Sequence, residues 1–534
     1  MRLRGRHPRA APASSAGAGD ARRLAPPGRN PFVHELRLSA LQKAQVAVLT
    51  LTLFPARLLV AAAMMLLAWP LALVASLGSA EREPEQPLAL WRRVVDVLLK
   101  AIMRAMWFAG GFHRVVVKGR RAPPTEATIL TLAPHSSYFD AIPVTMTMSS
   151  IVMKAESRDI PIWGTLIKYI RPVFVSRSDQ DSRRKTVEEI RRRAQSGGTW
   201  PQIMIFPEGT CTNRTCLITF KPGAFIPGVP VQPVVLRYPN KLDTITWTWQ
   251  GPGALKILWL TLCQFHNQVE IEFLPVYTPS EAEKKDPALY ASNVRRVMAE
   301  ALGVSVTDYT FEDCQLALAE GQLRLPTDTC LLEFARLVRG LGLKPETLER
   351  DLYRHAERAK TKQGGRVTLS EFAAQLGVPE SETLEDLFSL FDESGSGEVD
   401  LREYVVALSV VCQPSQTLDT IRLAFKMYGS QENGSIDEHA LSSILKTALG
   451  VAELTVTDLF QAIDQEEKGR ITFADFERFA EASPDFAEEY LYPEQTRSRS
   501  CAQTPAAPTP NGFCADFSPE TSAVGTEPFR KKLD

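Results

Sequence analysis

Residues 128–140 read TILTLAPHSSYFD and residues 202–210 read QIMIFPEGT, so two short apolar runs each end in a polar motif. Apolar runs of this length, bounded by turn residues, are typical of buried strands. In an α/β sheet the reactive side chains lie just beyond the carboxyl ends of the strands, which is where His135, Asp140 and Glu208 fall. We therefore predict an α/β domain with a mostly buried sheet flanked by helices, and with both motifs at one edge of that sheet.

His135 and Asp140 carry the side chains that proton transfer requires. An imidazole titrates near neutral pH and can take a proton from a hydroxyl, while a carboxylate can fix its tautomer. Five residues along a helix rotate a side chain by about 140°, so the two groups would not share a helical face. We predict a turn instead, in which Ser136 and Ser137 open a helix and Asp140 folds back. Alone the pattern is weak, because most such histidines are ordinary loop or core residues, and the second motif gives it weight.

The region around both motifs alternates between strand and helix patterns. Strands are predicted at 115–117, 128–132, 202–206 and 231–236, and a helix at 187–194. Four blocks occur in order at 135–140, 164–177, 206–210 and 229–234, and they read HSSYFD, GTLIKYIRPVFVSR, FPEGT and VPVQPV. With these blocks, residues 115–277 resemble the glycerolipid acyltransferase family of the HxxxxD type. The sequence EGTC at 208–211 resembles the lysophosphatidylcholine acyltransferase branch of that family.

The resemblance implies an acyltransferase domain at 88–320 in which His135 is the general base and Asp140 orients its ring. His135 would remove the proton from an acceptor hydroxyl, which then attacks the thioester carbonyl of acyl-CoA without a covalent acyl-enzyme. The substrate-binding residues that it implies are Gly164, Arg177, Glu208, Gly209, Thr210 and Cys211. Arg177 would bind the acceptor phosphate, since a guanidinium is always charged. Cys211 as a nucleophile is disfavoured, because no base lies near it in the sequence.

On the same resemblance the acceptor is lysophosphatidylcholine, with lyso-platelet-activating factor as a second candidate, and the donor is acyl-CoA or acetyl-CoA. Membrane lipids are further expected partners, and nucleic acid is not expected. A competing hypothesis is a catalytically silent membrane protein that recruits partners through calcium-binding EF-hands. Such a protein would be expected to have lost His135, Asp140, Arg177 or Glu208. All of these are present, which favours the enzyme.

The N-terminal part is predicted to hold a basic, disordered arm at 1–45 and a membrane segment at 46–78. About twenty apolar residues are enough to cross a bilayer, and the basic arm predicts a cytosolic N-terminus. A single span in this orientation is preferred. The last residues, KKLD at 531–534, resemble a dilysine signal for retrieval to the endoplasmic reticulum. Because such a signal is read from the cytosol, it favours the alternative of a membrane hairpin bent near Pro55.

The expected location is the endoplasmic reticulum membrane, with the Golgi and lipid droplets as further candidates. Potential N-glycosylation sequons at 213–215 and 433–435 test the topology, since a glycan on either would place the catalytic part of the protein in the lumen. Residues 88–112 predict an amphipathic helix that lies either at the lipid surface or against the domain core. The basic residues between 183 and 193 either attract phosphates of CoA or lipid, or form a solvated helix face.

From 333 to 482 the pattern changes to helices joined by short glycine-containing loops, at the spacing of tandem EF-hands. The loop at 392–403 reads DESGSGEVDLRE. Its predicted calcium ligands are Asp392, Ser394, Ser396, Glu398 through its backbone carbonyl, and Glu403. Serines in place of acidic residues remove negative charge, so we predict modest affinity and a regulatory or structural role. The loops near Gly365, Gly434 and Gly469 have lost ligands and are predicted to be degenerate, the last because Lys468 puts a cation among them.

The C-terminal part of the sequence is predicted to be disordered. Residues 493–534 are rich in Ser, Thr, Pro and Ala, which is typical of a disordered tail. The 8 cysteines form no CxxC pair, which disfavours a zinc site or a disulfide framework and fits a mostly reduced environment.

Overall fold

The computed structural model describes residues 30–491 except 77–88, 155–156, 159, 161, 176–179, 320–322, 327–328, 344, 362–365, 393–394, 431 and 485. The basic arm up to residue 29 and the tail from residue 492, with its terminal KKLD sequence, therefore lie outside the described residues. The chain divides into two compact units between Cys314 and Gln315.

The first unit is built on a large sheet. The strands of this unit are β1 Arg114–Lys118, β2 Ile129–Ala133, β3 Ser150–Lys154, β4 Val173–Val175, β5 Ile203–Ile205, β6 Cys216–Leu217, β7 Val231–Arg237, β8 Gln268–Phe273 and β9 Ser305–Val306. Seven of them form one sheet in the order β1-β8-β7-β2-β5-β3-β4. From β7 to β4 the neighbours are parallel, while β8 is antiparallel to β7 and parallel to β1. The predicted sheet is confirmed, and four of the predicted strands coincide with β1, β2, β5 and β7.

Helices cover both faces of this sheet. The helices of this unit are α1 Ala40–Leu51, α2 Leu53–Ser76, α3 Leu90–Ala109, α4 Ile142–Thr147, α5 Trp163–Tyr169, α6 Gln180–Ala194, α7 Ala254–Leu262, α8 Glu281–Lys285 and α9 Pro287–Leu302, while α10 Phe311–Leu318 spans the boundary between the units. Strand β2 is buried along its whole length. Its Leu130 and Leu132 pack into the core beneath α4, α5 and α7, and Ile129 and Ala133 into the core beneath α6 and α9. Burial on both faces explains why the run at 128–133 is almost continuously apolar.

Among the described residues, α2 is the one helix that is long and apolar enough to cross a membrane. Its buried Ala68 and Ala72 share a cluster with buried residues of α3. Near its start, the Arg57 guanidinium donates hydrogen bonds to the carbonyl oxygens of Leu262 (2.8 Å), Gln264 (2.5 Å) and Phe265 (2.8 Å) at the end of α7. The helix is therefore attached to the domain that carries the sheet. The predicted amphipathic helix is α3, which packs on α2 and also exposes Trp91, Val94 and Val97.

Residues 30–34, which we call the strap, precede α1 and lie across two loops of the first unit. Val33 forms a parallel bridge with Gln250. The side-chain amide of Asn213 donates hydrogen bonds to the carbonyl oxygens of Asn30 at 3.0 Å and Val33 at 2.8 Å. The chain before the apolar helices is thus bound to loops that follow them in sequence.

The second unit is helical. Its helices are α11 Leu331–Gly340, α12 Pro345–Thr361, α13 Leu369–Leu376, α14 Glu382–Ser389, α15 Leu401–Cys412, α16 Thr417–Tyr428, α17 Glu438–Leu449, α18 Thr457–Ile463 and α19 Phe473–Ala482, followed by a π-helical turn at Ala487–Leu491. Two short strands, β10 Arg366–Thr368 and β11 Glu398–Asp400, pair antiparallel, and Ile436 forms an antiparallel bridge with Ile471. The four predicted loops are therefore joined as two pairs, and the predicted all-α unit is confirmed.

Candidate functional site

The HxxxxD loop begins where β2 ends. Ser137 caps a 3-10 turn at Tyr138–Ala141, with its side chain accepting the N–H of Phe139. This turn brings Asp140 back towards the strand end, so that its Oδ2 lies 2.9 Å from Nδ1 of His135. The fold-back predicted from the spacing of the two residues is therefore present.

The carboxylate of Asp140 is completely buried and surrounded by hydrogen-bond donors. Its Oδ2 accepts the backbone N–H groups of Ser136 at 2.6 Å and Ser137 at 3.0 Å, and its Oδ1 accepts the Tyr238 hydroxyl at 2.6 Å. Burial acts to raise the pKa of Asp140, but the hydrogen bonds from His135, Tyr238 and Ser136 outweigh it and hold the pKa below its usual range. The carboxylate is consequently ionised at neutral pH.

An ionised Asp140 that accepts from Nδ1 leaves a lone pair on Nε2 of His135, which is the tautomer of a general base. The imidazole stacks on Phe206 with ring centroids 4.4 Å apart. Burial acts to lower the pKa of His135, but the Cys211 sulfur, which is hydrogen-bonded to the imidazole, and Asp140 raise it well above its ordinary value. The neutral, basic form of this histidine therefore gains population as the pH rises above neutrality.

Glu208 connects the FPEGT loop to the HxxxxD loop. Its Oε2 accepts the backbone N–H of His135 at 2.7 Å, and its Oε1 accepts the backbone N–H of Ile218 at 3.3 Å. Burial raises the pKa of Glu208 to about 7, against the lowering effect of these two donors. The side chain lies behind the histidine, where it shapes the site by holding its backbone. Gly209 follows with φ +70°, a left-handed conformation that favours glycine.

The other predicted substrate-binding residues lie at varied distances from this centre. Thr210 is buried, and its hydroxyl contacts the Cys314 sulfur at 3.1 Å, so it supports the loop from inside. Gly164 is buried in the first turn of α5. Arg177 lies outside the described residues. The structure thus brings Glu208 and Cys211 directly to the His135 and Asp140 pair, and the roles of the remaining residues stay predictions.

Cys211 has a base beside it after all. No base lies near Cys211 along the chain, but in the fold its buried thiol is hydrogen-bonded to the His135 imidazole. The His135 imidazole therefore has both Cys211 and Asp140 as partners. Attack on a thioester by the Cys211 thiol is therefore a second chemistry that this site could support, beside attack by an acceptor hydroxyl.

Two of the basic residues of α6 make contacts within the domain, and the buried Arg193 fits neither of the two interpretations given above. Arg193 is buried, and it donates from Nε to Glu189 at 2.6 Å and from Nη1 to the carbonyl of Arg171 at 2.6 Å. Arg192 also pairs with Glu189 at 2.7 Å. Both guanidinium groups lie over the Trp200 ring, at 4.9 Å for Arg192 and 4.4 Å for Arg193. These two arginines therefore stabilise the domain.

Two features of the site were missed in the sequence. Tyr238 follows β7, and the strap lies far upstream. The strap reaches the site through its loops: the backbone N–H of Thr212, next to Asn213, donates to the carbonyl of His135 at 2.8 Å. The fourth block gives only part of the signal for Tyr238, because it predicts the strand but not that this strand lies beside β2, which the structure shows.

The predicted calcium loop is folded around Asp392. Its carboxylate accepts the backbone N–H groups of Ser396 at 2.8 Å and Gly397 at 3.0 Å, and the Ser396 hydroxyl bonds to the carbonyl of Glu398 at 3.1 Å. These oxygens fit a hard cation such as calcium. Glu403 is oriented by the Ser443 hydroxyl at 3.4 Å, and burial raises the pKa of its carboxyl. Ser394 lies outside the described residues.

The loop around Gly469 has the same turn as the loop at 392–403, but it contains the positively charged Lys468. Asp464 accepts the backbone N–H groups of Lys468 at 3.0 Å and Gly469 at 2.7 Å, as Asp392 does in its own loop. The Lys468 ammonium, however, pairs with Glu466, and Asp475 accepts the Thr472 N–H at the start of α19. Its ligand positions are occupied by the protein's own groups, which supports the predicted structural role.

Comparisons with known proteins identify a family for this chain and an EF-hand pair within it. The Acyltransferase family model matches residues 114–237, and a model for an EF-hand domain pair matches residues 432–483. Lysophosphatidylcholine acyltransferase 1 from Homo sapiens is 85% identical over 100% of both chains. Lysophosphatidylcholine acyltransferase 2 from Homo sapiens is 47% identical over 86% of this chain and 85% of its own. The solved acyltransferase PlsC from Thermotoga maritima is 20% identical with a TM-score of 0.35, over 49% of this chain and 96% of its own.

Proposed function

The chain belongs to the lysophosphatidylcholine acyltransferases, and on that premise we propose that His135 is the general base of acyl transfer from acyl-CoA to lysophosphatidylcholine. The observation that carries this role is the hydrogen bond of His135 Nδ1 to the buried Asp140 carboxylate. This bond leaves Nε2 to accept a proton.

In the proposed reaction Nε2 of His135 takes the proton from the acceptor hydroxyl as its oxygen attacks the thioester carbonyl. The carbon–sulfur bond then breaks, and the departing CoA sulfur takes the proton back from the imidazolium. Asp140 stabilises the positive charge in between, because it stays ionised beside Nδ1. Glu208 keeps the histidine backbone in place. Arg177 keeps its predicted role on the acceptor phosphate, and lyso-platelet-activating factor with acetyl-CoA remains a second substrate pair.

Replacing His135 by alanine should remove the base and lower labelled acyl transfer to lysophosphatidylcholine by about 100-fold or more. The assay uses membranes that contain equal amounts of each variant. His266→Ala is the matched control, because this histidine is exposed. In the wild type kcat/KM should rise with pH above neutrality, since the pKa of His135 is raised and only its neutral form accepts a proton. Activity of His135→Ala close to that of the control would contradict the role.

A membrane anchor is indicated by the apolar helix α2, and we propose the hairpin as its arrangement. The predicted bend near Pro55 is wrong, because α2 runs unbroken from Leu53 to Ser76 and Arg57 holds its start on the end of α7, so the bend must come later in the chain. The strap precedes α2 and is bound to the loops at Asn213 and Gln250, which follow it. A single crossing would separate these partners by a hydrocarbon layer of about 30 Å. The strap therefore supports the hairpin over the single span preferred from the basic arm. In the hairpin both chain ends face the cytosol, where the dilysine-like end can act in retrieval to the endoplasmic reticulum.

Protease protection in sealed microsomes tests this topology. One epitope tag is placed in the arm before residue 30 and another in the tail before Lys531, so that the terminal signal stays intact. Both tags should be digested without detergent, and protection of one alone would indicate a single crossing. Glycosylation at Asn213 is a poor reporter, because its side-chain amide is bonded to the strap and its Oδ1 accepts the Thr215 hydroxyl at 2.6 Å.

The EF-hand pair matched at residues 432–483 supports calcium binding. We propose that the ion binds in the preceding loop at 392–403, which lies outside that match and keeps the predicted ligands Asp392 and Glu403. Glu403→Ala removes the predicted bidentate ligand and should weaken calcium binding at least about tenfold. The measurement is a calorimetric titration of the full chain in detergent. Glu398→Gln is the matched control, because Glu398 is predicted to bind through its backbone carbonyl. An unchanged isotherm in Glu403→Ala would assign the loop a purely structural role.

A further inference from the structure

Tyr238 stands at the edge of the sheet that carries the HxxxxD loop. Strands β2 and β7 are parallel neighbours, with Ala133 opposite Val235. The chain runs two residues from Ala133 to His135 and three from Val235 to Tyr238, so both side chains emerge at the same end of the sheet. The Tyr238 hydroxyl donates to Asp140 Oδ1 at 2.6 Å.

The two carboxylate oxygens of Asp140 have different side-chain partners. Oδ2 faces Nδ1 of His135 at 2.9 Å, and Oδ1 accepts the Tyr238 hydroxyl at 2.6 Å, with the Ser136 hydroxyl as a longer second donor at 3.3 Å. A carboxylate held at both oxygens cannot rotate about its carbon–carbon bond without losing one of these bonds. Asp140 is 0% exposed and Tyr238 is 9% exposed, so water has little access to replace the hydroxyl.

The tyrosine ring is held in turn by charged residues. The Arg214 guanidinium lies 5.2 Å from the ring centroid and donates to Asp243 at 2.6 Å. His34 of the strap bonds to the carbonyl of Asp243 at 3.1 Å. A chain of contacts thus leads from the strap through Asp243, Arg214 and Tyr238 to Asp140.

We propose that Tyr238 is a positioning residue for acyl transfer, whose hydroxyl fixes the Asp140 carboxylate so that Asp140 holds His135 in the tautomer and orientation of a base. The inference rests on the proposed roles of His135 and Asp140. Tyr238 acts through Asp140 and touches neither the substrate nor the reacting atoms. Its removal therefore changes the chemical step more than the binding of either substrate.

Losing this hydrogen bond should shift the pH profile of kcat/KM in a defined direction. Without the donor, the Asp140 carboxylate carries more charge towards His135 and stabilises the imidazolium more strongly. The imidazolium then loses its proton only at higher pH, so the acidic limb of the kcat/KM profile moves to higher pH. The other titratable groups that face the pair, Cys211 and Glu208, are the same in wild type and variant.

The test is Tyr238→Phe in the full chain, with Tyr290→Phe as the matched control. Tyr290 is also buried, and its hydroxyl donates to the carbonyl of Val229 at 2.9 Å in the core beneath α9. For Tyr238→Phe we expect kcat to fall roughly ten- to hundredfold, the loss typical of a hydrogen bond to a charged group, with each KM within about twofold. The acidic limb should move to higher pH in this variant and stay in place in Tyr290→Phe.

A second replacement covers the case in which Tyr238→Phe does not fold. With 3-fluorotyrosine at position 238 the hydroxyl is a stronger donor, so the acidic limb should move to lower pH, opposite to the shift with phenylalanine. An unchanged pH profile in either folded variant, or equal losses of kcat in Tyr238→Phe and Tyr290→Phe, would overturn the positioning role. His135→Ala is assayed in parallel. If it is inactive while Tyr238→Phe is normal, only the role of Tyr238 fails, whereas an active His135→Ala removes the base itself.

Discussion

The buried negative charge of Asp140 is the constraint on which the site depends. An ionised carboxylate without partners inside a protein costs several kcal/mol, so the fold must supply donors on all sides. The 3-10 turn supplies the backbone N–H groups of Ser136 and Ser137, and β7 supplies the Tyr238 hydroxyl. The Ser136 hydroxyl is a further, longer donor. Nδ1 of His135 also faces the carboxylate, and this is the contact that prepares the imidazole to accept a proton.

The sheet and the membrane-proximal chain cooperate in holding this arrangement. Parallel neighbours β2 and β7 deliver the histidine and the tyrosine to one edge, and the FPEGT loop after β5 adds the Glu208 brace to the histidine backbone. The strap binds the loops beside them before the chain enters α1 and α2. Arg57 then fixes the start of α2 to the end of α7. The apolar helix α2 and the reaction centre are therefore parts of one unit, which suits an enzyme whose acceptor resides in a membrane.

The sequence predicted features that depend on neighbouring residues along the chain. It did not predict contacts that depend on which strands lie side by side. Apolar runs ending in polar motifs predicted β2 and β5, and the spacing of His135 and Asp140 predicted the turn between them. Tyr238 was missed because its hydroxyl becomes meaningful only once β7 is known to lie beside β2. The proximity of Cys211 to His135 was missed for the same reason, since the two lie on different loops. Hydropathy identified α2, but the docking of the strap, which bears on topology, comes from contacts between segments far apart in sequence.

The central claim is that His135 acts on the acceptor hydroxyl and not on the neighbouring Cys211 thiol. The most direct test is a rapid-quench experiment with acyl-CoA labelled in its acyl group, with and without lysophosphatidylcholine. Direct transfer predicts that CoA is released only when the acceptor is present, at the rate at which product forms, and that no label remains on the denatured protein. A burst of CoA stoichiometric with enzyme in the absence of acceptor, with label bound as a thioester and abolished by Cys211→Ser, would contradict it.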